Sequence, residues 1–346
     1  MLWWQFGCAD PAKEAQEVRY AGLGVALQDQ SAMGLLDAYG NLSETLDLTT
    51  EADGQAISWM IHNVQITPDA RTALATAMPN MDQSGALNLP DQLIVVPLDD
   101  PDGYRRCDLD YGLGIAHVVT DGHLAYATAY NQDRIVVVDP DTCETVDRWP
   151  LPSGSHPHGL RFSSDQQSLW VAGAGDGSLH RVSLATANVD SYDVPGIAVQ
   201  VAVVPDGSAV FVTLNDAIAV SRLDVESDAL TTVPLPSGAM GPAQIYPAPD
   251  SGSVWVADQG PLDGTILGHE VYQLDAATGE ARAEVMVNEA PHGLVVSADG
   301  RDVWVTTLGA GTVDRVDVED LTLASSTPVG PGPNGISLAL DGEVMP

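Results

Sequence analysis

His158-Gly159-Leu160-Arg161-Phe162-Ser163-Ser164-Asp165-Gln166-Gln167-Ser168-Leu169-Trp170-Val171 returns later in the chain as His292-Gly293-Leu294-Val295-Val296-Ser297-Ala298-Asp299-Gly300-Arg301-Asp302-Val303-Trp304-Val305. A proline precedes each copy, Pro157 and Pro291. Residues of alternating character follow the glycine, a Ser-x-Asp turn comes next, and a β-branched and aromatic run closes the unit. That order predicts strand, tight turn, strand.

The turn aspartate finds the unit elsewhere. Asp69, Asp121, Asp165, Asp206, Asp250, Asp299 and Asp341 serve as anchors, and their successive spacings are 52, 44, 41, 44, 49 and 42 residues. Several short strands per unit, repeated every 40–50 residues or so, is the pattern of propeller blades. Seven anchors predict an all-β, seven-bladed propeller of four-stranded blades over residues 21–346, preceded by a tether over residues 1–20. The second strands carry Trp170, Trp255 and Trp304 at equivalent positions, where they are expected to pack between blades.

The two ends of the repeat are incomplete in complementary ways. Apolar runs Leu23–Leu27, Met33–Tyr39 and Leu42–Leu48 read as three strands with no first strand of their own. The last unit, beginning Pro333-Asn334-Gly335-Ile336, has a first strand and little more. The N-terminal strands are therefore expected to join the C-terminal strand in one blade, which removes the open edges.

Phe211-Val212-Thr213-Leu214-Asn215 and Val136-Val137-Val138-Asp139-Pro140-Asp141-Thr142 resemble the YVTN-type β-propeller repeat of bacterial envelope proteins. The resemblance covers residues 55–342 or so, with Trp where Tyr is usual. It implies the fold and an envelope or binding role. The Pro-His-Gly and Val-Trp-Val pieces are also similar to streptogramin lyase propellers. Gly154-Ser155-His156-Pro157-His158 is similar to the phosphogluconolactonase propellers. Streptogramin lyases work with a histidine and a glutamate beside a metal. Here Pro-His-Gly matches at His158 and His292, and no glutamate matches.

Composition narrows the partners. Forty-eight Asp and Glu stand against 13 Lys and Arg, a formal charge of −35, which repels nucleic-acid phosphate. Phe6-Gly7-Cys8-Ala9-Asp10 resembles the end of a bacterial lipoprotein signal, in which glycine precedes the acylated cysteine. Lipidation at Cys8 would place the chain in the cell envelope, periplasmic or on the outer membrane, touching the membrane only through that anchor. The alternative is a cytoplasmic protein with an unmodified Cys8. The expected state is a monomer. Cys107 and Cys143 fall in neighbouring blades, so a disulfide that closes a 36-residue loop competes with two free thiols. Such a bridge contributes ~3–4 kcal/mol in the chain-entropy model.

The residues that start the inner strands form a ring at one mouth of the channel. Counting seven back from each anchor gives His62, Gly114, His158, Val199, Ala243, His292 and Asn334. Neutral imidazoles suit metal binding and general-base work. A long loop from Asp258 to Glu270 lies on the same face, and Asp258, Asp263, His269 and Glu270 could bring carboxylates. Two readings follow. In the first, the mouth (His62, His158, His292, Asn334, with Asp258 and His269) binds a protein or small molecule without catalysis. In the alternative, a metal-assisted lyase or lactonase uses His158 or His292 as base and a divalent cation, Ca²⁺ or Mg²⁺. The first reading carries no cofactor. His62, His158 and His292 belong to the first, third and sixth full blades, so they are expected to share the opening without meeting on one ion.

Overall fold

A computed structural model describes residues 22–52, 54–80 and 89–339 of the chain. Cys8, the expected tether and the anchor Asp341 lie outside the described residues. Seven four-stranded antiparallel sheets follow one another around a channel, and a two-stranded ribbon (Thr50–Ala52 with Gln55–Ile57) sits beside them. The inner strands are Trp59–Ile66, Ile115–Thr120, Pro157–Phe162, Ala198–Val203, Pro242–Pro247, Pro291–Val296 and Pro333–Leu338.

The closing blade is built as the terminal fragments predict. Its order runs from Leu42–Asp47 through Ala32–Asp37 and Gly22–Leu27 to the C-terminal Pro333–Leu338. Leu23 pairs with Leu338 and Val25 with Ile336. Ser337 Oγ also accepts the Ile66 N–H of the next blade at 2.9 Å.

The core lies between blades rather than within them. Trp170 and Leu179 of the third blade meet Val201, Val210 and Val212 of the fourth in one cluster. The fifth and sixth blades bring Trp255 and Trp304 together with Leu23 of the closing blade in another. Inner and second strands are therefore buried on both faces, whereas an outer strand such as Ala229–Pro234 is mostly exposed. Burying a side chain such as Phe211, which is fully covered, contributes about 1.5–3 kcal/mol. Cys107 and Cys143 are joined by a disulfide between the first and second blades, with a Cα–Cα distance of 4.9 Å.

All seven inner strands carry the same irregularity. Each has one extra residue against its second strand, at His62-Asn63, Ala116-His117, His158-Gly159, Val199-Gln200, Ala243-Gln244, His292-Gly293 and Asn334-Gly335. Such bulges re-aim the side chains beside them. Gly159 follows His158 because the next inner strand passes close by: a Cβ there would come within 2.7 Å of Gln200 Cα.

Four threonines lock these bulges. Thr76, Thr128, Thr213 and Thr306 each accept the bulge N–H (of Asn63, His117, Gln200 and Gly293) through Oγ1 at 2.7–3.1 Å. Each hydroxyl also donates to a carbonyl of the next blade: Ala116, His158, Ala243 and Asn334, at 2.6–2.7 Å. One buried hydroxyl thus fixes two inner strands. Thr213→Val should cost about 2–4 kcal/mol, because it strands one buried donor and one buried acceptor. Urea unfolding is the check. A loss below about 0.5 kcal/mol, the range of neutral surface changes, would show that the clip adds nothing.

Candidate functional site

The bulges place a shell of polar side chains at the channel mouth. His62 and His158 are half-buried and His117, between them, is fully buried. The Nε2 atoms of His62 and His158 stand 3.3 Å apart. The His117 ring meets that of His158 edge-on at 4.7 Å and that of His62 at 5.3 Å between centroids. One ligand atom from each of the three lies within 4.8 Å of the others.

These positions partly correct the sequence reading. His62 and His158, from blades that are not neighbours, do meet across the mouth. His292 shares the mouth but not the trio. The third member is His117, which the ring count missed. Four residues separate the paired Thr120 and Ala125, against six between Phe162 and Leu169, so the second blade's hairpin is shorter. Counting back from Asp121 therefore lands on Gly114, two residues before the true position, Ala116.

Polar neighbours hold the rings in place. His158 Nδ1 lies 2.9 Å from the Val199 carbonyl, so it carries the proton and leaves Nε2 as an acceptor. His62 Nδ1 faces the Asn334 amide at 3.4 Å, and Asn334 in turn reaches Gln28 Oε1 at 2.6 Å. His117 Nδ1 faces the Gln200 amide at 3.4 Å, and Gln200 donates to Gln244 Oε1 at 2.8 Å. His292 Nδ1 donates to Gln259 Oε1 at 2.6 Å.

The loop after the fifth blade's second strand thus reaches the ring through Gln259. Asp258 does not bring a carboxylate to it. That side chain is fully buried and accepts the Met240 and Gly241 N–H groups instead. His269 lies just before the third strand, Glu270–Asp275; its carbonyl accepts the Val287 N–H and its own N–H goes to the Glu270 carboxylate. Among the described residues no Asp or Glu joins the imidazole trio.

Burial dominates the electrostatics. It holds His62 and His117 well below the usual imidazole range, and the neighbouring imidazoles push them further down. Burial also lowers His158, opposed by its bond to Val199. His292 is lowered to about 4 by burial and by His158, with Asn334 opposing the drop. All four rings are neutral at pH 7. Several atoms of this shell are buried without a hydrogen-bond partner: His117 Nε2, His292 Nε2, Gln244 Nε2 and Asn334 Oδ1. Unpaired buried polar atoms cost free energy, so each of these atoms calls for a partner such as water, an ion or a ligand.

No family model matches the chain. Over 190 residues it is 27% identical to virginiamycin B lyase of Nocardia farcinica, covering 53% of this chain and 60% of that protein. The chain therefore spans about three fifths of the length of this curated relative. Among solved structures, a catalytically inactive histidine-to-alanine variant of the Staphylococcus aureus virginiamycin B lyase with quinupristin superposes with a TM-score of 0.67. It is 16% identical, over 85% of this chain and 96% of that one. Hydrazine synthase of Kuenenia stuttgartiensis superposes as well, at 0.64 and 18% identity, over 82% and 90%. Likeness at that level is one of fold.

Proposed function

We propose that the chain is a ring-opening lyase acting at the channel mouth on a cyclic ester of peptide character, with His292 as the base. The observation that carries this reading is the state of His292. Its Nδ1–H is committed to Gln259, and its Nε2 is buried, neutral and free to take a proton. His158 is oriented just as well, but its Nε2 already contacts His62. The partial match to virginiamycin B lyase favours elimination over simple binding.

In such a reaction the base removes a proton from carbon beside a carbonyl, and the ester carboxylate leaves the adjacent carbon without water. Gln244 Nε2 is an unpartnered donor, which suits a peptide carbonyl. A Ca²⁺ or Mg²⁺ ion does not fit this mouth. Both ions take oxygen ligands, carboxylates above all, and the described mouth presents imidazoles and amides.

Incubation with quinupristin, followed by mass spectrometry, tests the proposal. Elimination should give a linear product of unchanged mass. Addition of one water would make the chain a lactone hydrolase instead. Unchanged cyclic substrate, with binding intact, would favour the non-catalytic module.

A further inference from the structure

We propose that His62, His117 and His158 form a binding site for one nitrogen-preferring transition-metal ion, with Zn²⁺ as the reference case. Their ligand atoms converge within 4.8 Å. Zinc–imidazole bonds of about 2.0–2.1 Å at tetrahedral angles hold two nitrogens about 3.3–3.4 Å apart. His62 Nε2 and His158 Nε2 already stand at 3.3 Å.

The surroundings are those of a metal site. Ligating histidines are normally held through their second nitrogen. Here Val199 O accepts the His158 Nδ1–H, and the amide nitrogens of Asn334 and Gln200 face His62 Nδ1 and His117 Nδ1 at 3.4 Å. An amide's oxygen and nitrogen exchange places by a half-turn, so Asn334, with Gln28 turning in step, can accept the His62 Nδ1–H that metal binding requires, whereas Gln200 must release the Val201 N–H to do the same for His117.

The backbone is equally fixed. Thr128 Oγ1 accepts the His117 N–H at 3.0 Å and donates to the His158 carbonyl at 2.7 Å, so one hydroxyl sets two ligands. His117 Nε2 is buried without a partner at the floor of the trio. His62 and His158 are half-buried at its rim, which leaves one side open to a further ligand.

Donor chemistry selects the ion. Three neutral imidazoles with no carboxylate suit zinc, copper, nickel or cobalt and reject Ca²⁺ and Mg²⁺. The charge of −35 raises the local concentration of any cation near the mouth. The competing account is a direct hydrogen bond between His62 and His158 that needs no ion.

Calorimetric titration of the untagged, chelator-stripped chain with Zn²⁺, in excess Ca²⁺ and Mg²⁺, separates the two. One Zn²⁺ should bind per chain. His117→Ala, His62→Gln and His158→Gln should each weaken it at least about 100-fold, and Thr128→Val about tenfold. Co²⁺ loading should give visible d–d bands that the histidine variants lose. The two rim variants decide the matter if His117→Ala fails to fold. His292→Ala should bind Zn²⁺ as the wild type does. Absent stoichiometric binding, or binding that survives all folded trio variants, would overturn the site. Zinc binding without any ring-opening activity would sink the proposed function and leave this inference standing.

Discussion

A chain ending at Gly332 is expected to lose its cooperative unfolding transition. Removing residues 333–346 deletes the inner strand of the closing blade, so Gly22–Leu27 loses its partner. It also uncovers the flank of the first blade, where the Ile66 N–H and the Gln65 amide meet Ser337. Ile336, about 6% exposed, goes with it. A domain's whole stability is roughly 5–15 kcal/mol. One strand's ladder, its apolar burial and its inter-blade bonds are of that order, and the edge of Gly22–Leu27 is left open to associate. Circular dichroism against temperature reads the loss. A synthetic peptide of residues 333–346 should restore the transition by strand addition. A truncated chain that melts within a few degrees of the full one would show that closure contributes little.

His292→Ala is expected to lower kcat/KM for ring opening by about 10²–10⁴, the usual contribution of a general base. That corresponds to about 3–5 kcal/mol of transition-state stabilisation. The variant's melting curve should stay near wild type, because His292 gives up one hydrogen bond to Gln259 and no clip. Gln259→Leu removes the group that fixes the Nδ1 proton and should cost about 2–10-fold, the worth of one hydrogen bond. The pH profile separates positioning from packing: with Gln259 gone, the proton can sit on either nitrogen and the profile should shift. An unchanged rate in His292→Ala would move the base to another imidazole, or remove it altogether.

The fold was legible because its signals are local. Ser-x-Asp turns at Asp165 and Asp299 announce their hairpins, and the unmatched runs near each end announce closure. Threonine in Val212-Thr213 was readable as a motif letter. Its task was not, since the Ala243 carbonyl that Thr213 holds lies in another blade. The mouth was legible only in part for a related reason. His62, His158, His292 and Asn334 could be placed in one ring, whereas contact between His62 and His158 depends on channel width, which no linear spacing records. His117 occupies the second position of its bulge, where other blades carry Asn63, Gly159 or Gln200, so a count of first positions passes it by. Gln259 stands between Asp258 and Asp263 in a polar loop, where nothing in the local sequence marks it as the partner of an imidazole two strands away.

The bulges hold a consequence for how such a molecule changes. Their backbone is fixed by threonine hydroxyls and neighbouring carbonyls, so the side chains at these positions carry little of the framework. The same bend accepts His62, Ala116, Val199, Ala243 and Asn334 in turn. Chemistry at the opening is therefore separable from the architecture that presents it. New donor sets could be written at Val199 and Ala243 by single substitutions, and a lineage could exchange one reaction for another without passing through an unfolded ancestor.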